Sequence, residues 1–264
     1  MPDSNDRADI LIVGGGSAGA VLAARLTEDS ARTVLLLEAG PAYGLDEIPE
    51  GVLGAAYVAD HDHDWGYTSW GNHDQRTVPA PRGKVLGGSS SVNASVAIRP
   101  RPSDLAKWAS HGAGGWSYEE VLPAFRDLEN TPSGEDHYHG RSGPLPIRQR
   151  TLEGLTPGLR GFAPENLQMI PAVGVVLWTP SASAVPGELD LNVTATHLLP
   201  GSQSPTGGAI VMGLSVTLPE STGTLKLASA DPKDAPLIDS NYLGTGRDAR
   251  RAVEAFKIGR TISR

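Results

Sequence analysis

The chain has 264 residues, of which 39% are hydrophobic, enough for a true core in one large or two modest domains. A formal charge of -8 without any block of like charge argues against a broad nucleic-acid or anionic-membrane surface. The absence of cysteine excludes disulfides, thiolate metal sites, cysteine nucleophiles and dithiol redox chemistry together.

The segment Met1 to Arg7 is acidic and polar, and the apolar run that follows it is too short for a signal-peptide core. The longest apolar stretch, Met169 to Trp178, is interrupted by Pro171 and falls far short of a bilayer span. A cytoplasmic protein without a membrane segment is expected. Ile10-Leu11-Ile12-Val13 is a continuous apolar run of the kind found in a parallel strand buried on both faces, and it ends in glycines. From Ser17 to Leu26 the small residues Ala20, Val21, Ala23 and Ala24 predict a helix that can sit close to a sheet. Val34-Leu35-Leu36-Leu37 then predicts a second buried strand, completing a strand-helix-strand unit within about thirty residues.

The spacing Gly14-x-Gly16-x-x-Gly19 lies between the first strand and the helix, and Glu38, followed by Ala39, ends the next strand. In that setting Gly14 makes the tight turn, Gly16 lets a pyrophosphate approach the backbone, and Gly19 lets the helix pack on the strand. Ser17 and Ala18 begin the helix, whose free N–H groups and partial positive charge face the phosphates. Glu38 can accept hydrogen bonds from the adenosine ribose. A dinucleotide is the consequence, and these residues alone fit FAD and NAD equally.

Ala39 to Pro81 reads mostly as loop, with a short strand expected at Trp65-Gly66-Tyr67-Thr68. Within it His61-Asp62-His63-Asp64 alternates imidazole with carboxylate, but no third ligand group accompanies it, and a solvated loop without metal is expected. Arg82 to Asn93 is rich in glycine and serine: Gly87 and Gly88 free the backbone to curl round an anion, and Ser89 and Ser90 add short hydroxyl donors. Ser103 is expected to cap a helix over Asp104 to Trp108, and Ser117 with Glu120 forms a capping box for another. Arg82, Arg99 and Arg101 read as solvated surface, and His137 and His139 as structural.

Beyond Pro157 the texture changes. Val173 to Leu177, Leu189 to Leu198, Ile210 to Leu218 and Thr224 to Leu227 predict strands without intervening helices, hence an antiparallel sheet. Arg247 to Arg264 predicts a helix with Ala249, Val253, Phe256 and Ile262 on one apolar face. His197 reads as an exposed or satisfied histidine.

The stretch Arg82-Gly83-Lys84-Val85-Leu86-Gly87-Gly88-Ser89-Ser90-Ser91-Val92-Asn93 resembles the first signature of the glucose-methanol-choline oxidoreductase family. The likeness extends to Asp64-Trp65-Gly66-Tyr67, Trp108, Gly115-Trp116 and His139 to Pro144. It resumes at Pro164 to Gln168, Gly223 to Leu227 and Pro236 to Leu243. It implies an α/β fold: a Rossmann-like FAD-binding domain with an incomplete parallel sheet over 1–157, with cap and lid loops, plus an α+β substrate domain with an antiparallel sheet over 158–264.

The resemblance also implies FAD, with Arg82 and Val85 along the cofactor and Asn93, Ala94 and Val96 near the flavin ring. Some members attach FAD covalently through a histidine at the position that looks equivalent to Val92, so a valine there implies a dissociable cofactor. The implied reaction transfers hydride from the carbinol carbon of a small alcohol to flavin N5, with oxygen or another acceptor reoxidising the flavin. The family's C-terminal catalytic histidine and its His or Asn helper have no counterpart here. The match skips part of the family between Thr156 and Gly158, so a truncated or split chain, with a complementary chain carrying the remainder, is expected. A hydroxynitrile lyase of the same family and a non-catalytic flavin-binding half are the alternatives.

Overall fold

The computed structural model describes residues 7–53, 61–71, 76–147, 175–196 and 211–263. The family-like stretch Pro164 to Gln168, the start of the expected strand at Val173, the residue-157 boundary and His197 lie outside the described residues. What is described forms two compact units, one from 7–95 with 175–263 and the other from 96–147.

In the first unit, β1 (Ile10–Val13) and β2 (Val34–Leu37) pair in parallel, Ile10 beside Val34 and Val13 beside Leu37. The helix α1 (Ser17–Leu26) joins them over the residues that the sequence predicts. It ends at Thr27, whose N–H and hydroxyl both donate to the Ala23 carbonyl, the hydroxyl at 2.8 Å. The expectation that both strands are covered on both faces fails. Ile12 is buried on the helix side, whereas Leu11, Val13, Leu35 and Leu37 share the opposite face and are exposed, Val13 at 80%. Side chains alternate across a strand, so a continuous apolar run supplies a second apolar face whether or not anything packs there.

A second sheet runs in the order β10-β11-β3-β4, built from β3 (Thr68–Trp70), β4 (Thr77–Pro79), β10 (Thr224–Lys226) and β11 (Leu237–Asp239). The strand expected at Trp65 begins at Thr68 instead. β11 lies parallel to β3, and the junction is closed by Ser69, which is almost wholly buried. Its hydroxyl lies 2.6 Å from that of Ser240 and accepts from the Ser240 N–H. The Thr224 strand therefore does not continue the antiparallel sheet that its sequence neighbours form.

That sheet is β7 (Val175–Thr179), β8 (Leu191–Thr196) and β9 (Val211–Val216), antiparallel throughout, with α5 (Gly246–Ile262) packed on it. The face of α5 is the reverse of the expected one. Asp248, Arg251, Ala255 and Gly259 are buried, with Gly259 tight against Leu214, while Val253, Phe256 and Ile262 are exposed.

A buried ionic network makes that reversal stable. Arg251 Nε lies 2.9 Å from Asp190 Oδ2, and its Nη1 donates to the Leu218 carbonyl at 2.7 Å. Asp190 accepts from the Ser181 N–H and hydroxyl. Burial alone would raise the Asp248 carboxyl. Hydrogen bonds from the Ser221 hydroxyl and from the Glu220 and Ser221 N–H groups outweigh it and bring the pKa down to about 2. Charged groups this deep need such partners.

In the second unit, α3 (Pro102–Ser110) and α4 (Tyr118–Leu128) pack together, and the short strands β5 (Glu129–Asn130) and β6 (Leu145–Pro146) pair in parallel. The Ser117–Glu120 capping box is present. The cap of α3 is Arg101 with Asp104, because Pro102 fits the first helical turn, and not Ser103. Arg99 is no solvated cation. It pairs at 2.6 Å with the buried Glu129, which also takes hydrogen bonds from Gly140 N–H and the His139 ring. Between β2 and β3 lies a single α-helical turn, α2 (Glu50–Leu53).

Candidate dinucleotide site

The first loop leaves β1 at Gly14, whose φ of +95° is open to glycine and strained for a side chain, and whose N–H donates to the Leu37 carbonyl at 2.8 Å. Gly19 lies against the turn so closely that a Cβ there would sit 1.9 Å from the Gly14 carbonyl oxygen. The helix begins at Gly16 with no side-chain cap and no acidic residue in its first turn. The N–H groups of Ser17, Ala18 and Gly19 thus open the helix without a carboxylate of its own to receive them.

The second loop packs on the first. Gly87 N–H donates to the Gly15 carbonyl at 2.7 Å, Gly16 and Gly87 form a parallel bridge, and a Cβ on Gly88 would meet Gly16 Cα at 2.8 Å. Sequence separation hides this meeting, yet both loops carry the glycines that it requires. A Cβ on Gly14 would meet nothing within 4 Å, and one on Gly16 only Gly88 Cα at 3.9 Å. The space above the turn is open, and the residues present fit a pyrophosphate lying across uncapped N–H groups.

The other sequence-selected residues take varied places. Glu38 holds the turn itself, its carboxylate oxygens accepting from Gly15 N–H at 2.6 Å and Gly40 N–H at 2.9 Å, and Ala39 beside it is exposed. Val85 is buried. Arg82 is exposed, with its N–H on Asp64 at 2.7 Å. Ser89 accepts from Gly83 N–H at 3.0 Å, which leaves its hydroxyl hydrogen available. Ser90 instead donates to the Gly87 carbonyl. Asn93 is exposed and accepts from Ser95 N–H, Ala94 is half-buried, and Val96, exposed, begins the other unit.

His63 corrects the reading of the His61 to Asp64 segment as solvated loop. The segment coils into a short 3-10 turn in which His63 is buried, with the Tyr43 hydroxyl 2.7 Å from its Nε2. No group of three or more metal-ligating side chains comes together among the described residues. Nor is any helix among them long and apolar enough to cross a membrane.

A parallel strand-helix-strand unit, a glycine turn at the bare helix start and an acidic residue ending the next strand define the Rossmann-like class of dinucleotide fold. Family models narrow that class. The chain belongs to the GMC oxidoreductases, the N-terminal model matching residues 8–158 and the C-terminal model 219–264. It is 42% identical over 148 residues to the oxygen-dependent choline dehydrogenase of Rhizobium etli (strain CIAT 652), covering 54% of this chain and 26% of that protein. It is 41% identical over 156 residues to the enzyme of that name from Vibrio vulnificus (strain YJ016), covering 58% and 28%. The chain thus spans about a quarter of the length of these curated relatives. The crystal structure of pyridoxine 4-oxidase from Mesorbium loti shares the fold with a TM-score of 0.77 at 22% identity, over 97% of this chain and 80% of that one.

Proposed function

We propose that this chain holds FAD non-covalently and serves an oxidoreductase acting on the CH–OH group of a small alcohol. The observation that carries the reading is the locking of the Gly87-Gly88 loop onto the Gly15-Gly16 turn at the uncapped start of α1. When bound, FAD supplies the hydride acceptor for alcohol oxidation, and its electrons pass to oxygen or another acceptor.

The chain's own residues bind and orient. Gly14 and Gly16 keep the turn low enough for a pyrophosphate, and the N–H groups of Ser17, Ala18 and Gly19 donate to it. Each Glu38 oxygen, already accepting one N–H, keeps a lone pair for a ribose hydroxyl. Ser89 adds a hydroxyl donor, and the buried side chain of Val92 has no nucleophile for a covalent flavin bond.

In this reading residues 1–157 form the FAD-binding part and 158–264 the substrate-binding part, supported by separate family models on 8–158 and 219–264. A complementary polypeptide carrying further family segments belongs to it, supported by the exposed aliphatic face of β1 and β2. Titrating the purified chain with FAD and following flavin fluorescence tests the core of the proposal. Saturable quenching is expected, followed by anaerobic bleaching of the bound flavin by an alcohol once the complementary segments are supplied. The absence of saturable binding would refute it.

A further inference from the structure

We infer that Tyr43 and His63 are a positioning pair that sets the second glycine loop at the cofactor's distance, an inference that rests on the FAD reading above. Neither residue is part of the glycine turn or of the loop. They act on it through backbone that both segments present.

Three lengths of chain have to be aligned for the loop to reach Gly16. Residues 38–43 run beneath it: Leu86 N–H donates to the Pro41 carbonyl at 2.9 Å, and a Cβ on Gly40 would lie 2.1 Å from the Lys84 carbonyl oxygen. Residues 61–65 run beside it: Lys84 N–H donates to the His63 carbonyl at 2.7 Å, Asp64 and Gly83 bridge antiparallel, and Trp65 N–H donates to the Arg82 carbonyl at 3.0 Å. The loop is therefore held from two sides by segments that differ in chain position by about twenty residues.

The Tyr43 hydroxyl lies 2.7 Å from His63 Nε2, with the rings edge to face at 5.6 Å, and this bond fastens one side to the other. His63 is only 5% exposed, so the bond lies away from competing water. Lys84 touches both sides, its N–H on the His63 carbonyl and its own carbonyl against Gly40, with its Nζ 4.6 Å from the Trp65 ring centre. Loosening the pair shifts Lys84 to Leu86, and with them the Gly87 N–H that meets Gly15.

The test compares FAD dissociation constants, from flavin fluorescence, and apo unfolding midpoints for the whole chain and its variants. Tyr43→Phe keeps the ring and removes the hydroxyl; His63→Leu removes the ring nitrogens. Each is expected to weaken FAD binding about tenfold, and the double variant no further, because the two act as one unit. His63→Gln, whose amide reaches the Nε2 position, is expected to restore most of the affinity. Variants that bind FAD as tightly as the wild type would overturn the inference alone. So would additive losses in the double variant, no rescue by glutamine, or losses that scale with the apo unfolding midpoint. A wild-type chain that binds no FAD would overturn the functional reading and this inference with it.

Discussion

Two glycines in one turn answer to different forces. Gly19 has no room, since a Cβ would collide with the Gly14 carbonyl oxygen at 1.9 Å. Gly16 has room and an ordinary φ of -69°, so alanine fits there structurally but intrudes where the phosphates are proposed to lie. Gly19→Ala is expected to destabilise the chain by about 3 kcal/mol, seen as a fall in denaturant midpoint. Gly16→Ala is expected to leave that midpoint unchanged and to weaken FAD binding at least about tenfold, the cost of losing one good phosphate approach. Equal effects of both substitutions on stability would contradict the division of roles. At this scale the sequence was highly legible. The spacing of Gly14, Gly16 and Gly19 and the acidic end of β2 announce the turn by local chemistry alone. Tyr43 and His63 were not legible, because a buried hydrogen bond between residues twenty positions apart leaves no periodic trace.

Among the elements, α5 shows what periodicity omits. Ala249, Val253 and Phe256 do fall on one face, but the helix turns Val253 and Phe256 outward and buries Asp248 and Arg251, because Asp190 and the 220–221 backbone offer them partners. No pattern within the helix names those partners. The carboxyl of Asp248 has its pKa lowered from 3.8 to about 2, so it binds its proton less readily folded than unfolded. Its contribution to stability is therefore complete above roughly pH 4 and is lost as pH falls through about 2. Asp248→Ala is expected to cost about 3 kcal/mol at neutral pH by leaving the Glu220 and Ser221 N–H groups without their acceptor and Arg251 without its second carboxylate, 3.5 Å away. The unfolding midpoints of wild type and variant are expected to converge on approaching pH 2. A gap that stays constant across that range would show that the ionised carboxylate is not what stabilises the helix. α1 and α4, by contrast, match their expected starts because a glycine turn and a capping box are local signals.

For the whole molecule, the family was readable, while the way sheets draw on distant segments was not. Alternation shows which face of a strand is apolar and does not say which strand lies beside it. The outer face of β1 and β2 presents Leu11, Val13, Leu35 and Leu37 to solvent, a contiguous aliphatic block on a sheet with open edges. Such surfaces favour association. Val13→Thr combined with Leu35→Thr is expected to lower light scattering on concentration without changing FAD affinity, since neither side chain faces the helix side of the sheet. Unaltered scattering would mean that this face is covered in solution.

The parallel pairing of β3 with β11 bears on how the chain reaches this fold. The Ser69 and Ser240 hydroxyls that close it are 171 positions apart, and a two-stranded β3–β4 hairpin is marginal alone. During synthesis the hairpin must wait, its edge unpaired, until the segment around residue 240 has left the ribosome. Contacts of such long range make folding slow and late. Chaperone demand is therefore set by the order in which the segments emerge as much as by the stability of the finished sheet.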